Sequence, residues 1–318
     1  MVYLSKKCIS LLILAILSIY SVTANTVSDR DDLNDFVTTW DTSKKGISNN
    51  HSVTIPIVKE ASYYFSIDWN DDGVFEEVGI SSSITHDYGK PGIYTIRIRG
   101  IFPYFTFYNR GDKLKIIAIN QWGTQEWKSM NGMFWGCENL EGKATDKPNM
   151  SHVIDMDGVF ENAKKFNQYI GDWDTSKVEN MAGMFSGASS FNQDISNWDT
   201  SHVNNMSFMF NNATLFNQDL SKWNTSKVTQ MQAMFQLASN FNGNVETWNT
   251  NNVWNMKLMF SQAYSFNQHI GTWDTSNVKD MSLMFQGATN FDQNISNWNI
   301  DKVAYDYKMF YKAYAYNE

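Results

Sequence analysis

A 25-residue period dominates the C-terminal part of this 318-residue chain and limits what it can fold into. Phe166, Phe191, Phe216, Phe241, Phe266 and Phe291 recur in strict register, as do Trp173, Trp198, Trp223, Trp248, Trp273 and Trp298. A second Phe series runs through Phe160, Phe185, Phe210, Phe235, Phe260, Phe285 and Phe310, with an alanine three residues after each. Val178, Val203, Val228, Val253, Val278 and Val303 keep the same step. One such unit is too short to bury its own apolar residues. Stacking buries them, so the pattern predicts a solenoid in which each coil covers the next.

Within a unit, Val178, Met181, Met184, Phe185 and Ala188 fall near helical spacing, and Ser176 stands where an N-cap belongs. This predicts a short helix. The remainder, residues 191–198, reads as a short strand and a turn. The expected coil is therefore strand, turn, helix, turn, and the expected solenoid is α/β, spanning 126–318 with about seven coils. Strand pairing between coils would make it about 35 Å long. Asn167, Asn192, Asn217, Asn242 and Asn267 form a track suited to holding backbone groups from coil to coil. Met130, Met133 and Phe134 read as a degenerate first coil with Cys137 in the alanine position.

The N-terminal part divides differently. Residues 1–24 read as a secretory signal: Lys6 and Lys7 precede an apolar run, and Val22-Thr23-Ala24 resembles a cleavage site. Residues 25–51 read as a linker. Within 52–125, segments 53–57, 63–68, 93–100 and 114–119 read as strands separated by Asp72-Gly73, Lys90-Pro91-Gly92 and Arg110-Gly111-Asp112. Together they predict a small antiparallel β-sandwich. The whole chain is thus expected to be α+β. Asp68, Asn70 and Asp72, with Gly73, match the opening of a calcium loop. Gly79 occupies the position where its last acid belongs, leaving Glu76 or Glu77 as substitutes. Calcium is the one cofactor considered, and a polar hairpin turn is the alternative.

The net charge of −8 and the lack of a basic run argue against a nucleic-acid partner. Without its signal the chain has no stretch able to span a membrane, and Cys137 is its only remaining cysteine, so no intrachain disulfide is expected. His152 and His202 share one slot two coils apart and lack the converging ligands a zinc site needs. No nucleophile elbow, phosphate loop or dinucleotide fingerprint occurs, and no catalysis is expected. The Trp track reads as core rather than as a sugar-stacking ladder. Binding candidates are residues that break the repeat at exposed slots. Trp254 stands where other coils have Glu179, Asn204, Thr229 and Lys279. Tyr169 and His269 replace Asp194 and Asp219, and Tyr264 and Tyr314 replace Ser189 and Thr214. Exposed aromatics of this kind anchor interfaces.

The units typified by residues 191–213 resemble those of BspA-like leucine-rich-repeat surface proteins, over 130–318. The segment Asp68-Trp69-Asn70-Asp71-Asp72-Gly73, followed by His86-Asp87-Tyr88 and Pro91-Gly92-Ile93-Tyr94, resembles a polycystic-kidney-disease-type (PKD-like) domain. An extra residue separates the first motif from that family's pattern. The resemblance implies export, a secreted or cell-surface location, and adhesion to host or matrix proteins or cell-surface glycans. It brings no catalytic residues. The alternatives are a carbohydrate-binding module and an accessory part of a secreted hydrolase.

Overall fold

The computed structural model describes residues 32–59 and 61–316. The expected signal segment, 1–24, lies outside the described residues. The described residues form eight strands: β1 (Phe36–Asp41), β2 (Ser52–Ile55), β3 (Tyr64–Asp68), β4 (Glu77–Ile80), β5 (Ile84–Asp87), β6 (Ile93–Ile101), β7 (Ile116–Gln121) and β8 (Glu141–Gly142). Six form one sheet in the order β4-β3-β6-β1-β7-β8, and β2 pairs with β5 in a second. All pairs are antiparallel except β7 with β8.

The stretch 25–51, expected to be a linker, contains β1, which lies between β6 and β7 in the large sheet. Its side chains explain the position. Phe36 and Trp40 are four apart, point to one face and are fully buried. On the other face Thr39 Oγ1 donates to Asn120 Oδ1 at 2.7 Å across the β1–β7 pair. Phe36 packs on Phe102, Phe105, Trp122 and Trp127, with ring centroids 5.1–6.3 Å apart. Trp122 in turn meets Phe134 and Trp173. One apolar core therefore runs from the sandwich into the solenoid.

The sandwich covers one end of the stack. β7 pairs in parallel with β8 of the first coil. Amides of Phe107, Tyr108 and Asn109 donate to the carbonyls of Met133, Gly132 and Trp135.

The helix expected in each coil is absent, and with it the α+β class: the described residues contain strands, bridges and turns but no helix. The chain is all-β. An α-helix needs each amide to bond four residues back along its own chain. Here alternate amides leave the coil. Met181, Gly183, Phe185 and Gly187 donate to the carbonyls of Asn205, Ser207, Met209 and Asn211 in the next coil, at 2.7–3.0 Å. Between them, Ser186 and Ala188 close tight turns onto Gly183 and Phe185, three residues back. Gly183 and Gly187 have φ of 58° and 70°, the left-handed backbone of a type II turn and foreign to a helix. Each coil is a spiral of turns. Parallel bridges link Asp155, Asn180, Asn205, Gln230, Asn255, Asp280 and Tyr305, one residue per coil.

Side-chain ladders reinforce the backbone. Phe185, Phe210, Phe235 and Phe260 stack with centroids 5.6 Å apart and planes within 9°. That separation exceeds the usual strand spacing, so the rings are offset rather than eclipsed. Each indole N–H from Trp198 to Trp298 donates to a carbonyl of the coil before, as Trp223 does to Ile195 O at 3.0 Å. Buried Thr175, Thr200, Thr225, Thr250 and Thr275 donate their hydroxyls to carbonyls of the coil after. The Asn track is present: Asn167, Asn192, Asn217 and Asn242 Oδ1 each accept the amide of the matching Asn one coil on, at 2.8–2.9 Å.

Candidate binding surface

The ladders engage the recurring residues, which leaves the exposed positions that vary as candidates for a binding surface. The Trp track is core: Trp198, Trp223, Trp248 and Trp273 are at most 4% exposed, and their N–H groups are engaged. It offers no face for stacking a sugar.

The pattern-breaking residues do lie at the surface. Trp254 is 42% exposed, Tyr264 45% and Tyr169 53%. Trp254 is held firmly, because its amide donates to Thr229 O at 3.0 Å and its carbonyl accepts Lys279 N at 2.9 Å. Tyr264 Oη reaches Gln262 Oε1 at 3.3 Å. His269, half exposed, meets Glu246 Oε1 through Nδ1 at 2.9 Å. Tyr264 and His269 share a coil, Trp254 stands ten residues before Tyr264, and Tyr169 lies four coils before His269, roughly 20 Å along the stack. No ring contact joins them, so they form separate anchors rather than one pocket.

In the sandwich, Asp68, Asn70 and Asp72 come together in one turn. Buried Asp68 accepts the amides of Asn70, Asp72 and Gly73 at 2.8–3.3 Å. Asn70 Nδ2 donates to Asp72 Oδ2 at 3.2 Å. Glu76, rather than Glu77, joins them, accepting Trp69 N at 3.1 Å. Asp68, Asp72 and Glu76 place ligand atoms within 4.8 Å of one another and are the residues able to hold a divalent cation. His86 stacks on Trp69 at 4.6 Å, and Tyr88 Oη donates to Trp69 O at 2.7 Å, so the two sandwich motifs pack as one unit.

Sequence reasoning passed over a second acidic feature, on the solenoid. Asp157 and Glu161 line a shallow cleft of about 420 Å³ with Ser186, Asn205, Ser207 and Phe208. The two carboxyl groups converge over Gly183: a Cβ there would lie 3.3 Å from Glu161 Oε2 and 3.6 Å from Asp157 Oδ1. The signal was present as a break in the repeat. Asp157 stands where later coils have Ala182, Ser207 and Gln232, and Glu161 where they have Ser186, Asn211 and Gln236. Phe208 likewise replaces Gly158 and Gly183.

Burial, and then the nearby Asp157, lifts the Glu161 carboxyl from 4.5 to about 7. Asp157 is also raised, by burial and by Asp155. The folded chain therefore holds a proton on Glu161 that the unfolded chain has already released. Stability should fall as pH rises from about 4.5 to about 7 and level off above that. Discounted for the partial exposure of Glu161, the loss is on the order of 1–3 kcal/mol. Urea unfolding at about pH 5 and about pH 8 should show this drop in the wild type and a smaller one in Glu161→Gln. Equal drops would mean that Glu161 is not the group responsible.

The architecture defines a class: a repeat protein of stacked β-turn coils, closed at one end by a β-sandwich and varied on its surface. The chain belongs to the family described as Mycoplasma protein of unknown function, DUF285, whose model matches residues 105–146, 128–245 and 216–318. No curated protein and no solved structure matches it. No helix among the described residues is long and apolar enough to cross a membrane.

Proposed function

We propose that this chain is a secreted or cell-surface adhesin-type scaffold that binds partner proteins along its solenoid and performs no catalysis. The observation that carries this reading is the division of labour within each coil. Residues that recur are spent on ladders and core, whereas exposed slots change from coil to coil and hold Tyr169, Trp254, Tyr264 and Tyr314. A rigid backbone with separate aromatic anchors suits several modest contacts that reinforce one another. The resemblance of its repeats to BspA-like surface proteins supports the same reading.

The test is binding of the full chain to immobilised matrix proteins, compared with a Trp254→Ser/Tyr264→Ser variant. Wild type should bind saturably, and the variant should bind at least about tenfold more weakly. Its thermal unfolding should be unchanged, since both side chains lie outside the core. Unaltered binding by the variant would remove these residues from the interface. The absence of saturable binding by wild type would sink the adhesin reading.

A further inference from the structure

We propose that the cleft over Gly183 is a site for a neutral sugar residue, distinct from the aromatic anchors above. Three observations carry this. First, its polar groups lack partners. The side chains of Asp157 and Glu161 converge there with no Lys or Arg paired to either among the described residues. Ser207 is only 6% exposed, and its Oγ has no hydrogen-bond partner. A buried hydroxyl without a partner is uncommon in native proteins and calls for a reason.

Second, the open groups are mixed in kind. The carboxyl groups accept, and Glu161 also donates while it carries its proton, whereas the amides of Asn205 and Gln232 use their oxygens on Ser207 N and Asn255 Nδ2 and keep their N–H₂ groups to donate. Sugar hydroxyls both donate and accept, and so match such a wall. A bare ammonium group would satisfy the carboxylates and leave the amide donors facing nothing. Acidic sugars, sulfate and phosphate are excluded by the two carboxyl groups and the absence of a cation.

Third, Phe208 forms an apolar side of the cleft, 38% exposed, at φ 60°. This slot has left-handed backbone in every coil, occupied by Gly158 and Gly183 before Phe208 and by Ala233, Leu258, Leu283 and Lys308 after it, and Phe208 alone puts an aromatic ring there. It supplies the flat apolar face on which the C–H side of a sugar ring packs. The cleft volume, about 420 Å³, lies in the range of small-molecule sites.

The test is saturation-transfer NMR and calorimetry on the full chain with glucose, galactose, mannose, N-acetylglucosamine and their disaccharides. N-acetylneuraminic acid and lysine methyl ester serve as controls. At least one neutral sugar should bind saturably. Asp157→Asn and Phe208→Gly should each weaken it at least tenfold, and Trp254→Ser should leave it unchanged. Phe208→Gly is informative because glycine suits φ 60°, so a loss of binding cannot be blamed on misfolding. The proposal is overturned if no neutral sugar binds, if binding survives both cleft variants, or if lysine methyl ester binds in place of the sugars.

Discussion

Phe235→Ala is expected to destabilise the solenoid by about 3–5 kcal/mol, the cost of deleting a large buried ring and leaving a cavity. Phe235 is fully buried at the middle of the stack. It meets Phe241 within its own coil at 3.8 Å, Phe210 and Phe260 at 5.6 Å, and Trp248 at 6.1 Å. Rigid coils above and below prevent the void from collapsing. In a quasi-one-dimensional protein the lost contacts are the coupling between neighbouring coils. Urea unfolding followed by Trp fluorescence should therefore broaden or split as well as shift, because the two halves become less cooperative. Phe310→Ala supplies the comparison. Phe310 is only partly buried and meets Phe285 and Tyr316, so its loss should be clearly smaller. Equal losses at the two sites would contradict the nearest-neighbour picture.

The second large effect is expected in the sandwich. Asp112 is buried and accepts the amides of Ile47, Ser48 and Thr54 at 2.8–3.0 Å, together with Ser48 Oγ at 2.6 Å. Fully buried Lys115 lies 3.8 Å away and donates to the carbonyls of Ser48, Asn49 and Ser52. The pair fastens the loop between β1 and β2 to the start of β7. Asp112→Ala removes the acceptor for four donors and strands a buried ammonium group, a change that typically costs about 3–5 kcal/mol. Adding Lys115→Met removes the stranded charge and should recover part of the loss. Thermal unfolding of both single variants and the double variant gives the coupling. Strict additivity would show that the two residues act independently.

Much of the solenoid was legible because stacking repeats a chemical requirement at fixed spacing. Phe, Trp, Val and Ala tracks had to be core, and the Asn track had to hold backbone, because each sits in register with its copies. The local backbone was not legible from apolar spacing. A spiral of tight turns closing on the third residue back returns side chains to one face nearly as often as a helix does. Val178, Met181, Met184, Phe185 and Ala188 fit either structure. Gly183 and Gly187 inside that stripe were the discriminating residues, since two glycines are poor material for a short helix. β1 was obscured differently: its partners β6 and β7 lie far along the chain, and the segment by itself is short and flanked by charges.

The candidate surface divides the same way. Trp254, Tyr169, Tyr264 and His269 stood out because exposure can be read from slot and residue type. The carboxyl cleft could not be assembled that way. Asp157 and Glu161 break the repeat visibly, but the cleft they line is completed by Gly183, Ser207 and Phe208 from the two following coils, and that assembly belongs to the stack rather than to any one unit.

The bonds that join the coils run from each position to a fixed position in the neighbouring unit, as from Met181 N to Asn205 O and from Met206 N to Gln230 O, and they repeat with little regard to which unit supplies them. Unequal crossing-over between two copies of the repeat would therefore yield a longer or shorter protein whose junction is as well bonded as any other. Such exchange would reshuffle the surface residues while leaving the scaffold intact, so a lineage carrying this architecture can renew its exposed face by recombination as readily as by point substitution.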